Sequence, residues 1–102
     1  MSNHFAVEQS GSTATVTIQG ILDINSAPGL AERIDQIVAA RPQQVSVDLS
    51  GLELIDSSGV AALVKLYRGI KGTGGSFVVT GARDQPLAIF KLLRMDKVFN
   101  MQ

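Results

Sequence analysis

Two hydroxyls and a carboxylate stand together in the run Asp56-Ser57-Ser58-Gly59, directly before a stretch whose apolar residues recur with helical spacing. An oxygen at Asp56 or Ser57 can accept hydrogen bonds from the free amides of a first helical turn, so either residue is a candidate N-cap. The same helix end would also favour a phosphoryl group on Ser57 or Ser58. Gly59 is expected to leave room for another chain or a nucleotide. The segment therefore supports two interpretations, a plain helix cap and a phosphorylation site.

A second carboxylate, Asp23, is predicted to come near this segment. It ends the run GILD at residues 20–23, which follows the second predicted strand. Asp23 and Asp56 would then orient the serine hydroxyl for an incoming kinase and later repel the phosphate. An interpretation of equal weight makes Asp23 a cap or turn residue ahead of Asn25.

A basic and small-residue surface is predicted on the helix that follows. Lys65, Arg68 and Lys71 recur at helical spacing beside Ala61 and Ala62. An ordinary solvated helix face accounts for this pattern. The alternative is a docking surface, because small residues beside basic ones let a partner approach closely; it would comprise Ala61, Ala62, Lys65 and Arg68.

The composition narrows the classes of partner. The 102 residues suffice for one domain, and 9 basic side chains balance 9 acidic ones. A neutral chain is a poor match to nucleic acid or to an anionic membrane surface. The first ten residues have neither the basic nor the apolar region of a secretory signal, so a cytoplasmic location is expected.

Few residues could carry catalysis. The chain has no cysteine and one histidine, His4, which lies close to the N-terminus. The glycine-rich residues 69–75 match neither phosphate-binding glycine pattern and precede a strand rather than follow one. Since no nucleophile–base pair, metal-ligand cluster or cofactor loop is present, we expect no enzymatic activity, no metal and no cofactor.

Periodicity and chain-breaking residues predict seven elements in the order β-β-α-β-α-β-α. Strands are expected over residues 4–9, 13–19, 45–49 and 77–80, and Gly20 is expected to end the second. Helices are expected from Asn25 or Ser26 to near Ala40, over residues 57–72, and over residues 85–95. The third helix should turn four apolar side chains inward: Leu87, Phe90, Leu93 and Leu92.

This order predicts an α/β fold in one domain over residues 1–102. Its mixed β-sheet of four or five strands has an antiparallel N-terminal edge and a parallel centre, covered by three or four helices. The functional crevice of such a sheet lies outside the carboxyl ends of the parallel strands. Residues 20–23 and 54–59 should meet there.

The run VDLSGLELIDSSGVAAL at residues 47–63 resembles the signature of the STAS domain, and in particular that of the stand-alone anti-sigma factor antagonists of bacteria. The run GILD at 20–23 is similar to the family's upstream G-x-L-D turn. GGSFVV at 74–79 and FKLL at 90–93 resemble its later strand and helix. The resemblance covers residues 5–99, and D-S-S-G is its specific part.

The resemblance implies partner switching by phosphorylation. In the family, the unmodified antagonist binds an anti-sigma factor that is also a serine kinase with a histidine-kinase-like ATPase fold, which frees the sigma factor. The kinase modifies the serine directly after the aspartate, which matches Ser57, with Ser58 the neighbouring position. The phosphorylated antagonist then dissociates, and a PP2C-type phosphatase resets it. The protein is expected to be a monomer or a weak dimer.

Two departures from the family pattern concern docking. Val60-Ala61 stands where the family often has Leu-Gly, although Ala61 is nearly as small. The last helix common in the family is expected to be short or missing. An alternative function is a non-phosphorylated STAS adaptor subunit of a transporter or signalling complex. D-S-S-G favours the switch, because adaptor members often replace the serine pair.

Overall fold

The structure is a computed structural model and describes residues 4–101. It contains, in chain order, β1 (His4–Ser10), β2 (Thr13–Leu22), α1 (Ala27–Ala39), β3 (Gln44–Ile55), α2 (Ser57–Gly72), β4 (Ser76–Thr80), α3 (Asp84–Leu92) and α4 (Met95–Val98). The described residues form one four-stranded sheet in the order β1-β2-β3-β4, with β1 antiparallel to β2 and the other pairs parallel. The predicted mixed α/β sheet with an antiparallel N-terminal edge is confirmed.

One face of the sheet carries the hydrophobic core. The alternation predicted for β2 is present, with Ala14, Val16 and Ile18 buried and Thr13 and Thr15 exposed. Side chains from the other parallel strands continue this buried layer: Val45, Val47, Leu49, Phe77 and Val79. Helices α1 and α2 contact one another and contribute the apolar stripes that pack with this layer. The start of α2 is thereby fixed at the carboxyl end of β3.

The strands β2 and β3 run further than predicted. β2 continues through Gly20 to Leu22, and β3 continues to Ile55 instead of ending at Leu49. β3 contains one extra residue relative to β2 at each of two irregularities, between Thr17 and Gln19 and between Gly20 and Ile21. Such bulges displace the apolar residues from strict alternation, which is why this part of each strand looked like a loop.

The predicted third helix over residues 85–95 is wrong as one element. Arg94 adopts a left-handed conformation with φ of 60°, which separates α3 from α4. Phe90 is buried and Leu87 half-buried as expected, but Leu92 is 77% exposed and Leu93 52% exposed. Leu92 follows the buried Phe90 by two residues, which places it on the opposite side of the helix, and Leu93 is the C-cap residue of α3.

The change of direction at Arg94 places Phe99 in the core. Its ring centroid lies 5.6 Å from those of Phe77 and Phe90 and 5.8 Å from that of Tyr67. Tilted and edge-on contacts of this kind add to the energy of apolar burial. The aromatic cluster therefore anchors the last described helices to the sheet. No helix within residues 4–101 has the length and apolarity needed to cross a membrane.

Candidate functional site

The candidate site lies where the carboxyl ends of β2 and β3 meet. Leu22 pairs with Ile55 as the last residues of the two strands, and the Asp56 backbone N–H donates to the Leu22 carbonyl at 3.1 Å. The predicted meeting of residues 20–23 and 54–59 is therefore present. Asp56 is the sole residue between β3 and α2, so the position of Ser57 follows from the end of the strand.

Asp56, rather than Ser57, caps α2. Its Oδ1 accepts a hydrogen bond from the Gly59 backbone N–H at 3.0 Å, and its Oδ2 accepts one from the Ile24 backbone N–H at 3.2 Å. One carboxylate thus caps one amide of the first turn, that of Gly59, and joins the helix to the β2–α1 loop. Ser57 becomes the first residue of the helix, so its hydroxyl is not needed for capping.

The two serines differ in exposure. Ser57 is exposed, whereas Ser58 is half-buried. Among residues 4–101, no hydrogen-bond acceptor pairs with the backbone N–H of Ser57 or Ser58. The start of the 16-residue α2 thus presents two amides and the positive end of the helix dipole beside an exposed hydroxyl.

Asp23 organises its own turn. Its Oδ1 accepts from the backbone N–H of Asn25 at 3.0 Å and from that of Ser26 at 3.3 Å. Its backbone carbonyl also accepts from Ser26 and from Ala27, at 3.1 and 2.7 Å. These hydrogen bonds agree with the interpretation of Asp23 as a turn residue ahead of Asn25. A role for Asp23 in orienting the Ser57 hydroxyl stays a prediction.

Gly59 faces the sheet rather than a partner. It is buried, and a Cβ at this position would lie 2.6 Å from the Leu22 carbonyl oxygen and 2.7 Å from Ile55 Cγ1. The expectation that Gly59 opens space for another chain or a nucleotide is therefore wrong. The glycine instead lets the start of α2 approach β2 closely, which fixes the position of Ser57.

A shallow apolar groove begins at Ser58 and runs between α1 and α2. We call it the α1–α2 groove; its volume is about 280 Å³ and its lining residues are Ile24, Ala27, Pro28, Ala31, Ser58, Ala61, Ala62 and Lys65. Ile24 is 69% exposed, although a large apolar side chain is usually better covered. The groove therefore offers apolar contact area immediately beside the exposed serine.

Three of the four predicted docking residues, Ala61, Ala62 and Lys65, line this groove, and Arg68 does not. Ala61, Lys65 and Arg68 are exposed, and with Val64 they line a second depression along α2. Ala62 is 7% exposed, so it can contribute only to the floor of the α1–α2 groove. The Lys65 ammonium also pairs with Asp35 of α1 at 3.0 Å, so this lysine joins the two helices.

Two residues of this region, Ile24 and Gln85, are not among the predicted site residues. Ile24 has a usable signal, because an isoleucine stands between Asp23 and Asn25 in a turn. No local sequence pattern marks Gln85 as a residue of the site. Its side-chain amide contacts the backbone of Ile55, a partner 30 residues away in the sequence.

Within residues 4–101, no group of three or more acidic or histidine side chains is arranged to hold a metal ion. The chemistry that this region offers comes from hydroxyls, backbone amides and an apolar surface. Such a set can accept and hold a modifying group, and it can bind another protein.

Comparisons with known proteins agree with this description. The family model described as Mlab, STAS domain, matches residues 5–101. The anti-sigma-F factor antagonist RsfB of Mycobacterium tuberculosis is 28% identical over 93% of this chain and 77% of its own length. A crystal structure of an anti-sigma factor antagonist from Mycobacterium paratuberculosis superposes with a TM-score of 0.87 at 27% identity, covering 98% of this chain and 85% of that one.

A further solved structure shares the fold at lower identity. The Bacillus cell fate determinant SpoIIAA in its phosphorylated form gives a TM-score of 0.78 at 17% identity, with 97% of this chain and 89% of that chain covered. At this identity the likeness concerns the architecture.

Proposed function

We propose that this chain, which belongs to the STAS domain family, acts as an anti-sigma factor antagonist in a partner-switching pathway. Its unphosphorylated form binds an anti-sigma factor that is also a serine kinase of the histidine-kinase-like ATPase fold. Phosphorylation of Ser57 releases that partner, and a PP2C-type phosphatase restores the binding form. The chain itself is a substrate and a binding protein, not an enzyme, and acts as a monomer or weak dimer. The observation that carries the proposal is the exposed Ser57 at the first position of α2, with its hydroxyl free of capping.

Ser57 is favoured over Ser58 as the phosphate acceptor. A kinase must bring the γ-phosphate of ATP in line with the accepting oxygen, which requires an accessible hydroxyl. Ser57 is exposed, while Ser58 is half-buried against the α1–α2 groove. RsfB and the Mycobacterium paratuberculosis protein are both named as antagonists of anti-sigma factors, which supports the same class of partner here.

A phosphate on Ser57 should be tolerated by the fold. The unpaired amides of Ser57 and Ser58 and the dipole of α2 favour negative charge by roughly 0.3–1 kcal/mol. The nearby Asp56 carboxylate opposes it, but each Asp56 oxygen already accepts a hydrogen bond from the backbone. The modification should therefore act on binding rather than on folding.

The α1–α2 groove explains how the charge would weaken binding. A partner that covers Ile24 and Ala61 would bury apolar surface directly beside Ser57. A phosphate of about −1.5 to −2 charges at that boundary would have to be dehydrated or displaced. Losing about 1.4 kcal/mol of binding free energy weakens affinity tenfold. We expect phosphorylated Ser57 to weaken binding by at least about tenfold.

The test begins with the chain isolated from its own host. Intact mass should show a species heavier by one phosphoryl group, and peptide fragmentation should place it on Ser57. Ser57→Ala should abolish that species, while the matched variant Ser58→Ala should retain it. Absence of the phosphorylated species in the unsubstituted chain under all growth conditions would instead favour a non-phosphorylated adaptor subunit of a transporter or signalling complex.

A further inference from the structure

At the end of β3, a side chain makes the backbone hydrogen bonds that a neighbouring strand would otherwise make. β4 pairs with β3 only from Gln44 to Asp48, so its ladder stops well before Ile55. At Ile55 the side-chain amide of Gln85 takes over. Its Oε1 accepts from the Ile55 backbone N–H at 2.9 Å, and its Nε2 donates to the Ile55 backbone carbonyl at 2.9 Å. We call this the Gln85–Ile55 amide pair.

The Gln85–Ile55 amide pair satisfies backbone groups that are buried. Ile55 is 4% exposed, so water is a poor substitute partner for its backbone groups. A buried N–H or C=O without a partner is strongly unfavourable, and here one side chain satisfies both. Glutamine is suited to this because its amide carries a donor and an acceptor, as the peptide group of a strand does.

The start of α3 holds Gln85 toward β3. Asp84 has a left-handed φ of 55°, a conformation that aspartate tolerates better than most residues. Pro86 follows directly and is buried. Gln85 thus stands between a sharp turn and an anchored proline, which limits the directions in which its side chain can point.

We propose that Gln85 is a positioning residue for the phosphorylation segment and acts through Ile55. The segment is fixed on one side by the bond from the Asp56 N–H to the Leu22 carbonyl, and on the other by the Gln85–Ile55 amide pair. Release of the pair frees the end of β3, and with it the start of α2 at Ser57. The link to phosphorylation rests on the proposed function, whereas the link to the order of this segment does not.

The first experiment measures amide hydrogen exchange in Gln85→Met, which keeps the length of the side chain but removes both hydrogen bonds. Exchange at Ile55 should be at least about tenfold faster than in the unsubstituted chain, beyond any change at Val47 in the core. Gln36→Met, on an exposed glutamine of α1, is the chemically matched control and should change neither site.

A second control separates local release from general destabilisation. Val7→Ala removes half-buried surface from β1, far from the site, and should accelerate exchange evenly through global unfolding. If Ile55 responds to Gln85→Met no more than to Val7→Ala at equal loss of global stability, the positioning role is overturned.

The second experiment measures the fraction of the chain that carries phosphate in its own host by intact mass at equal expression, and peptide fragmentation places that phosphate on Ser57. Gln85→Met should lower this fraction at least about threefold, because the hydroxyl is less often held in the orientation that a kinase requires. If the unsubstituted chain is phosphorylated and Gln85→Met is phosphorylated equally, the inference fails while the proposed function stands. If the unsubstituted chain carries no phosphate, the proposed function fails, and the exchange result alone decides the structural role of Gln85.

Discussion

Two serines stand at helix starts in this molecule, and they are placed in opposite ways. Ser26 occupies the N-cap position of α1 and is 8% exposed. Its hydroxyl donates to the Ile21 carbonyl at 2.9 Å and accepts from the Asp23 N–H at 3.0 Å. Ser57 begins α2, is exposed, and leaves capping to Asp56. The Ser26 hydroxyl stabilises the β2–α1 loop, whereas the Ser57 hydroxyl has no such structural role.

The difference comes from the lengths of the two strand-to-helix junctions. Four residues, 23–26, join β2 to α1, and the loop folds back on itself around the Ser26 hydroxyl. One residue, Asp56, joins β3 to α2, so no loop is present to cover Ser57. A serine before or at the start of a helix is therefore not in itself a modification site. Exposure of the hydroxyl and the presence of another capping group make it a candidate.

The largest expected effect concerns the close contact that sets the position of α2. In Gly59→Ala the new Cβ would lie 2.6 Å from the Leu22 carbonyl oxygen, so the helix must shift. We expect a loss of about 2–3 kcal/mol in the free energy of unfolding, measured by urea denaturation. Gly72→Ala, at the other end of α2, meets no atom within 4 Å and should be neutral or stabilising. Equal stability of the two variants would mean that α2 is not held against β2 by this contact.

The next effect concerns the Asp56 cap. Asp56→Ala removes the acceptors for the Gly59 and Ile24 amides, which should lower the free energy of unfolding by about 1–2 kcal/mol. Glu53→Ala removes the same charge from an exposed position of β3 and should change stability by less than about 0.5 kcal/mol. A loss below about 0.5 kcal/mol in Asp56→Ala would show that another group, such as the Ser57 hydroxyl, replaces the cap.

The two serines should respond differently to the same substitution. Ser26→Ala removes the hydroxyl that accepts from the Asp23 N–H and donates to the Ile21 carbonyl, and it should lower the free energy of unfolding by about 1–2 kcal/mol. Ser57→Ala should change it by less than about 0.5 kcal/mol, because the hydroxyl is exposed and caps nothing. Thermal unfolding of the pair under identical conditions measures the difference. Equal losses would remove the distinction drawn between the two junctions.

The parts of the fold that sequence analysis predicted correctly are those with a local signal. The bounds of α2, 57–72, followed from a capping residue, an apolar stripe with helical spacing and a glycine-rich end. The break at Arg94 has no such signal, because the residue that adopts the left-handed conformation is not glycine. The extension of β3 to Ile55 was hidden by bulges that shift the apolar residues out of alternation.

The candidate site also contains residues that have a local sequence signal and residues that have none. Asp56 and Ser57 were both proposed as caps from their residue types, and geometry was required to choose Asp56. The sequence predicts that Gly59 allows a close approach, but the approaching group is β2 and not a partner. A sequence does not show which face of a helix lies against a strand. Gln85 could not be found at all, because a hydrogen bond between residues 30 positions apart depends on the tertiary fold.

The smallest effect is expected for the ion pair that joins the helices of the two junctions. Lys65 and Asp35 lie 3.0 Å apart with side chains 49% and 71% exposed, so water weakens their attraction. A double-mutant cycle with Lys65→Ala and Asp35→Ala should give a coupling free energy of about 0.2–1 kcal/mol. At 1 M salt the screening length falls to about 3 Å, and the coupling should decrease further. A coupling above about 1 kcal/mol that persists at 1 M salt would show that this pair fixes α1 relative to α2. In that case the α1–α2 groove beside Ser57 would be a rigid surface, and charge reversal at Lys65 should weaken partner binding even without phosphorylation.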